Sequence, residues 1–375
     1  MSRVLAEHRV VVIGGYGFFG RRLVERLTSQ PDAHVIVAGR SLQDAQALVD
    51  RLRPQAKARL DAAVVDATSV DLRQELERLS PTTVVLASGP FQGQDYRVAR
   101  VCISVGANYI DLADARAFVV GIRELDSIAK AAGVFVSSGA SSVPALSSAV
   151  VDHLVRGMSS VDNIDIGISP GNRTERGLST VKAILSYCGK AIPAHGPTRM
   201  IGWSGSRRHR YPAPVGSRWL SPCDVPDLAL LPRRYPGEPT VRFGAGLELS
   251  FLHRGMNVMA WAAHHGLVRD WSAHARWLKK AADIFKGWGS DAGAMHVSVS
   301  GRRNDDDEAS RSWCLVATHG DGPYVPTLAA AALVRKLATS DGLPAGAMPC
   351  VGSLSLEDFE EEARGLNIYM AEVAA

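Results

Sequence analysis

Short apolar runs alternate with amphipathic stretches through the first third of the chain. The runs fall at 10–13, 34–38, 62–65, 83–87, 108–112 and 133–137. Between them, apolar residues recur at helical spacing over Arg22–Ser29, Ser41–Leu52, Val70–Leu79, Asp95–Val105 and Ala117–Ala132. Strands that read as unbroken apolar runs are those buried on both faces. The pattern therefore predicts an α/β fold with a parallel sheet covered by helices on each side. Ligands of such sheets bind beyond the C-terminal ends of the strands.

The texture changes after about residue 157. Asn163–Ser169 alternates, Val241–Leu252 is strand-like, and Ala294–Arg302 with Arg311–His319 forms a hairpin pattern around the turn Asn304–Glu308. Helical spacing returns at Leu178–Gly189 and from Trp271 to Trp288. These elements predict an antiparallel sheet with helices on one face. The stretch 207–239, rich in Arg, Pro and Trp, reads as a long loop. The expected organisation is a nucleotide domain over 1–150 and an inserted α+β substrate or dimerisation domain over 157–322. A C-terminal helical segment, 323–375, is expected to pack back on the first domain.

The first strand and helix carry the most specific chemistry. Val10–Val11–Val12–Ile13 runs into Gly14–Gly15–Tyr16–Gly17–Phe18–Phe19–Gly20 and then into a helix. In that setting Gly15-x-Gly17-x-x-Gly20 is a dinucleotide fingerprint. Gly15 is expected to make the tight turn, Gly17 to admit a pyrophosphate, and Gly20 to let the helix pack on the strand. The free N–H groups at the helix start favour phosphate. The candidate set here is Gly15, Tyr16, Gly17, Phe18, Phe19 and Gly20.

The second apolar run ends in Gly39–Arg40–Ser41, with no carboxylate to accept from a ribose 2′-OH. An arginine and a hydroxyl at this place suit a 2′-phosphate, which points to NADP(H). At the third run's end, Asp66 can accept from an adenine amino group or cap the next helix. The fourth ends Ser88–Gly89–Pro90–Phe91, where Gly89 allows close approach and Pro90 stiffens the loop. The loop Ser137–Pro144 precedes a helix, Ala145–Leu154, whose start can hold an anion or simply be capped by a serine.

Composition narrows the class without naming a reaction. A net charge of +4 spread along 375 residues does not imply nucleic acid. No run of apolar residues is long enough for a membrane span, and the N-terminus lacks the layout of a signal peptide. The five cysteines, Cys102, Cys188, Cys223, Cys314 and Cys350, are scattered and odd in number, which argues against a zinc cluster or a disulfide framework and fits a reducing cytoplasm. The dispersed histidines give no metal set.

Hydride transfer needs a group that gives or takes a proton. Candidates near the strand ends are Asp114, Tyr96, Cys102 and Ser141. Asp114 alternatively caps a helix beginning at Ala115–Arg116. Cys102 lies in an apolar helix and reads as core. Arg207–Arg208–His209–Arg210 can clamp carboxylates or lie solvated on a loop, and His264–His265 reads as a helix C-terminal cap.

Two resemblances follow. Gly14-x-x-Gly17-x-x-Gly20 is also similar to extended short-chain dehydrogenases, but those need a Tyr with a Lys four residues later, and none of the eight tyrosines has one. Gly89–Pro90–Phe91, then Tyr96, Ala99, Cys102, Gly106, Ala107 and Asn108–Tyr109–Ile110–Asp111, resembles a block of the saccharopine dehydrogenase family. Gly139–Leu146 is similar to that family's loop into the second domain, and Gly322–Pro323–Tyr324 with Thr327 to its closing segment. The likeness is strong over the nucleotide domain, moderate at the end and weak between. It implies an NADP(H)-binding Rossmann domain, an α+β domain beside the substrate cleft, and a homodimer. It assigns cofactor contacts to Gly15, Gly17, Phe18, Phe19, Arg40, Ser41, Asp66, Ala67, Ser88, Gly89 and Pro90. Ala113–Asp114 stands where the family carries a Gly-Glu or similar pair, a departure that tells against a saccharopine-like substrate. The leading expectation is an NADP(H)-dependent oxidoreductase acting on a small metabolite with amino or carboxyl groups. The alternative is a non-catalytic NADP(H)-binding sensor on the same fold.

Overall fold

A computed structural model describes residues 7–193, 200–304, 307–339 and 343–374. The first part comprises β1 (His8–Ile13), α1 (Gly20–Leu27), β2 (Ala33–Gly39), α2 (Leu42–Leu52), β3 (Arg59–Val64), α3 (Leu72–Leu79), β4 (Thr83–Leu86), α4 (Arg97–Ser104), β5 (Asn108–Asp111), α5 (Arg116–Gly121), α6 (Asp126–Ala132) and β6 (Phe135–Ser138). Then come α7 (Ser147–Leu154), β7 (Met158–Ser169), α8 (Leu178–Ser186), the small ladder β8 (Ala191–Ile192) and β9 (Met200–Ile201), β10 (Arg207–Arg210), β11 (Ser217–Pro222) and α9 (Asp227–Leu230). β12 (Thr240–Ala245), α10 (Ser250–His264), α11 (Ala275–Asp283), β13 (Gly293–Arg303) and β14 (Glu308–Ala317) follow. The chain closes with α12 (Val325–Ala338), β15 (Gly346–Pro349), α13 (Leu356–Glu362) and β16 (Ile368–Val373).

The first sheet has the order β15-β6-β5-β4-β1-β2-β3 and is parallel throughout. Chain order reverses between β1 and β4, so the loops leaving those two strands diverge and open a crevice. Alternate residues of β1 serve opposite layers. Val10 and Val12 pack with α1, α2 and α7, while Val11 and Ile13 pack with α3, α4 and α6. Each such buried side chain contributes about 1.5–3 kcal/mol of burial free energy.

The second sheet has the order β10-β11-β12-β7-β13-β14-β16. It is mixed, not purely antiparallel as its pattern suggests, because β12 runs parallel to β7. Ile164, Ile166, Met295 and Val297 on its inner face join the core that contains α7 and α12. Every residue from Leu328 to Val334 of α12 is fully buried. A helix apolar all round is one surrounded on all sides, and α12 fills the joint between the sheets.

Several expectations change here. The stretch 207–239 is not a single loop: it contributes β10, β11 and α9. β10 is an edge strand, and its run of cations, which blunts an edge against further pairing, disguises it in the sequence. Within Val241–Leu252 the strand ends at Ala245 and α10 has begun by Ser250. The segment 323–375 holds strands as well as helices. β15 extends the first sheet beside β6, whereas β16 extends the second beside β14. In the hairpin of β13 and β14, Asp305 and Asp306 lie outside the described residues.

Candidate functional site

A cavity of about 320 Å³ opens at the reversal point of the first sheet. Its walls come from the β1–α1 loop (Gly14, Gly17, Phe18, Phe19), the segment after β4 (Ala87–Phe91), Leu112 and Asp114 after β5, and the start of α8.

The β1–α1 turn is dictated by glycine, though not at the position expected. Gly14 takes the positive φ of +80°, and Gly15 does not. A Cβ on Gly15 would instead fall 2.8 Å from the Val12 carbonyl oxygen. Gly17 N–H donates to Gly14 O at 2.9 Å, closing the turn. At Gly20 a Cβ would stand 2.0 Å from that same oxygen, so α1 approaches the turn as only glycine permits. No side chain caps the start of α1. That end keeps its positive dipole and orphan donors facing the cavity.

At the ends of β2 and β3 a second group assembles. Tyr16 lies across Gly39, where a Cβ would fall 2.4 Å from its ring, and its hydroxyl accepts from Ser41 N–H at 2.9 Å. Ser41 caps α2, its oxygen accepting from Asp44 N–H at 3.2 Å, and Arg40 is exposed. Asp66 does not cap α3, whose N-cap is Asp71. Its carboxylate accepts from the Thr68 N–H and hydroxyl at 2.9 and 2.8 Å. Those bonds hold its pKa below the ordinary value, with the nearby Arg40 charge adding to the effect. Ala67 beside it is half-buried.

The end of β5 carries two carboxyls in different states of satisfaction. Asp111 is fully buried, and one of its oxygens accepts from Ala113 N–H, Ser138 hydroxyl and Gly139 N–H, each at 2.9 Å. It ties β5 to the turn after β6, and burial pushes its pKa up to about 6 against those bonds. Asp114 lines the cavity. The helix-capping alternative is not realised, since α5 starts after Ala115 with no side-chain cap. Gln92 Nε2 stands 3.4 Å from Asp114 Oδ1, and burial raises the carboxyl's pKa above the ordinary range. A carboxyl of this kind can give or take a proton nearer neutrality.

The other candidates lie apart. Tyr96 donates to Phe118 O at 2.7 Å and packs on the Phe118 ring, with its pKa raised to about 12 by burial. Ser141 is buried and does not line the cavity. The Ala145–Leu154 helix begins at Ser147, and its preceding turn, Ser142–Leu146, is wholly buried. The run Arg207–Arg210, open to reading as a carboxylate clamp or as a solvated loop, is strand β10, and its Arg207 pairs with Asp165 at 2.5 Å. Cys102 is fully buried in α4.

The wall that the sequence reading missed is α8. Gly177, Leu178, Ser179, Thr180 and Ala183 line the cavity. Ser179 hydroxyl donates to Gly89 O at 3.2 Å across it. Glu175 reaches Arg21 at 2.5 Å and Arg22 at 3.5 Å, and the Arg22 guanidinium sits 4.2 Å from the Phe18 ring centroid. A glycine followed by Ser and Thr at a helix start was the only local signal.

Residues 10–136 match the family model described as the saccharopine dehydrogenase NADP binding domain. Over that stretch the chain resembles the nucleotide-binding part of saccharopine dehydrogenases. The fold is shared with apo saccharopine dehydrogenase (L-Glu forming) from Saccharomyces cerevisiae, at a TM-score of 0.68 and 13% identity, over 98% of this chain and 100% of that one. Weaker matches include an amine dehydrogenase from Mycobacterium smegmatis (TM-score 0.49, 13% identity, 91% of this chain and 94% of that one). A meso-dapdh mutant from Clostridium tetani matches at a TM-score of 0.45 and 12% identity, over 95% of this chain and 98% of that one. No curated protein sequence matches the chain. Among the described residues, no helix is long and apolar enough to cross a membrane.

Proposed function

We propose that the chain is an NADP(H)-dependent oxidoreductase acting on a small metabolite that bears amino or carboxyl groups. The observation that carries this reading is the convergence, in one crevice, of the glycine turn, the Ser88–Gly89–Pro90 edge and the Asp114 carboxyl. The donor set suits a dinucleotide: side-chain-free backbone at Gly17, an uncapped helix start beside Phe18 and Phe19, and a cation with a hydroxyl at Arg40–Ser41.

In this reading the β1–α1 turn binds the pyrophosphate, with Gly15 and Gly20 shaping that turn. Arg40 and Ser41 take the 2′-phosphate, whose place Tyr16 borders, and Asp66 and Ala67 flank the adenine end. A bound nicotinamide supplies or accepts the hydride. Asp114 holds the proton that the substrate heteroatom gains or loses, with Gln92 orienting its carboxyl. Ser179 and Thr180 at the head of α8 close the crevice against water. A homodimer belongs to the same proposal, and light scattering checks it.

Calorimetric titration with NADPH and NADH, on the wild type and on Arg40→Ala, tests the cofactor assignment. NADPH should bind at least about tenfold tighter, and the variant should lose most of that preference. Binding of neither nucleotide overturns the reading.

A further inference from the structure

Seven of the thirteen large apolar side chains exposed among the described residues fall within residues 251–288. On α10 they include Phe251, Val258 and Trp261, at 47, 65 and 56% exposure. On α11 and just past it they are Trp277, Ile284 and Trp288, at 69, 77 and 58%. Isolated exposed leucines or valines are ordinary on a protein surface, but a concentration with three tryptophans is not.

These residues form one face. Phe251 at the start of α10 contacts Phe285 and Trp288 beyond α11, with ring centroids 5.0 and 6.0 Å apart. Trp271 Nε1 donates to Met259 O at 2.8 Å, so the two helices run alongside in opposite senses. Trp277 and the C-cap residue Ile284, seven residues apart, share one side of α11, and Trp288 follows in the turns past its end. The helices are held by narrow seams: α10 fully buries only His253 and Ala260, and α11 only Ala275. Met256 and Met259 pack half-buried against the core, whereas Phe251, Val258, Trp261, Trp277, Ile284 and Trp288 are left exposed.

The charge around this face is net positive. Residues 250–288 contain six Arg or Lys against two Asp. Asp270 is turned onto Ser272, and Asp283 pairs with Lys279 at 2.7 Å. Arg276, Lys280 and Lys286 are exposed around the tryptophans.

We propose that the α10–α11 face docks on an anionic lipid bilayer. Tryptophan and isoleucine beside Lys and Arg is the composition of helices that lie in a membrane interface, with the rings at headgroup depth and the cations on anionic lipid. A second copy of the chain is a poorer occupant, because a two-fold interface would set this cationic face against itself. The face also has a bearing on the cleft, since α11 packs on α8, whose first turn lines it.

Co-sedimentation of the full chain with large vesicles tests this, comparing phosphatidylcholine alone with equimolar phosphatidylcholine and phosphatidylglycerol. The wild type should pellet with the anionic vesicles and stay in solution with the neutral ones. Trp277→Ser with Ile284→Ser should weaken pelleting about tenfold or more. Lys280→Glu with Lys286→Glu should also weaken it, at about fivefold or more per residue. Raising salt to about 1 M, where screening shortens to about 3 Å, should release the wild type. Circular dichroism of the variants should be unchanged, since the altered side chains are exposed. A wild type that stays in solution with anionic vesicles overturns the proposal. So does a pair of apolar substitutions that leaves pelleting intact. If those substitutions instead convert a dimer to a monomer without any vesicle binding, the face belongs to a second copy.

Discussion

On the nucleotide-domain side of the crevice, backbone lies against backbone: Gly20 against Gly14, and Gly14 against the Ser88 main chain. On the α8 side, attachment is by side chains. Glu175 reaches Arg21 and Arg22, and Ser179 reaches Gly89 O. The first wall is fixed by sterics that no rotamer change relieves. The second hangs on exposed polar contacts, which contribute little stability each. A site built this way would hold one ligand in a preformed cradle and leave the other wall free to differ without loss of fold.

Gly20→Ala is the strongest way to break the first wall. A methyl group 2.0 Å from Gly14 O forces α1 away from β1. The expected cost is about 3 kcal/mol in urea unfolding, with nucleotide affinity falling more than about tenfold. Gly255→Ala supplies the control, since a Cβ there meets nothing within 4 Å. As an exposed helical glycine it should gain up to about 1 kcal/mol. If both variants behave alike, the cradle is not sterically set.

Asp114→Asn separates chemistry from binding. Once a substrate is in hand, turnover should fall by about 100-fold or more, the usual range for losing a positioned acid or base. NADPH affinity should stay within about threefold, because the carboxyl is not among the groups assigned to the nucleotide. The pH profile gives the sign. In the oxidative direction Asp114 acts as base and must be ionised, so the rate is lost as pH falls through its raised pKa. The Asn variant should lack that limb. A variant with unchanged turnover removes Asp114 from the mechanism.

What the sequence made legible follows the same division. The parallel sheet reads directly, because strands such as Val35–Ala38 are buried on both sides and leave no polar interruption. The cradle reads from its glycines, apart from the placement of the positive φ at Gly14 rather than Gly15. Asp114 could be singled out as a strand-end carboxyl, but choosing between cap and cleft required the geometry of α5. The second wall was opaque because it contributes a glycine, two hydroxyls and small apolar groups, none of them a motif. α10 was legible only at its end, where His264–His265 reads as a C-terminal cap and the helix does stop at His264 with His265 as its cap; its body was hidden for a different reason. Its apolar residues face outward as much as inward, so the usual one-sided pattern is erased. β16 was hidden similarly, with Tyr369 at 66% exposure.

The smallest expected effect belongs to the second wall, and it is the sharpest test of the comparison. Glu175→Gln keeps the side chain's shape and removes its charge, loosening the link to Arg21 and Arg22. Arg21 and Glu175 are about a third to a half exposed, so the stability change should be under about 1 kcal/mol. The same substitution leaves two cations at the head of α1 without their carboxylate, next to the turn assigned to the pyrophosphate. NADPH should therefore bind slightly tighter at low salt, by about twofold to threefold, with the gain gone at about 1 M salt, where exposed charges are screened. A stability loss as large as that of Gly20→Ala would mean that the α8 wall is as firmly built as the glycine wall. The contrast between a fixed cradle and a hung wall would then fail, because Glu175 would be bearing on packing rather than on charge.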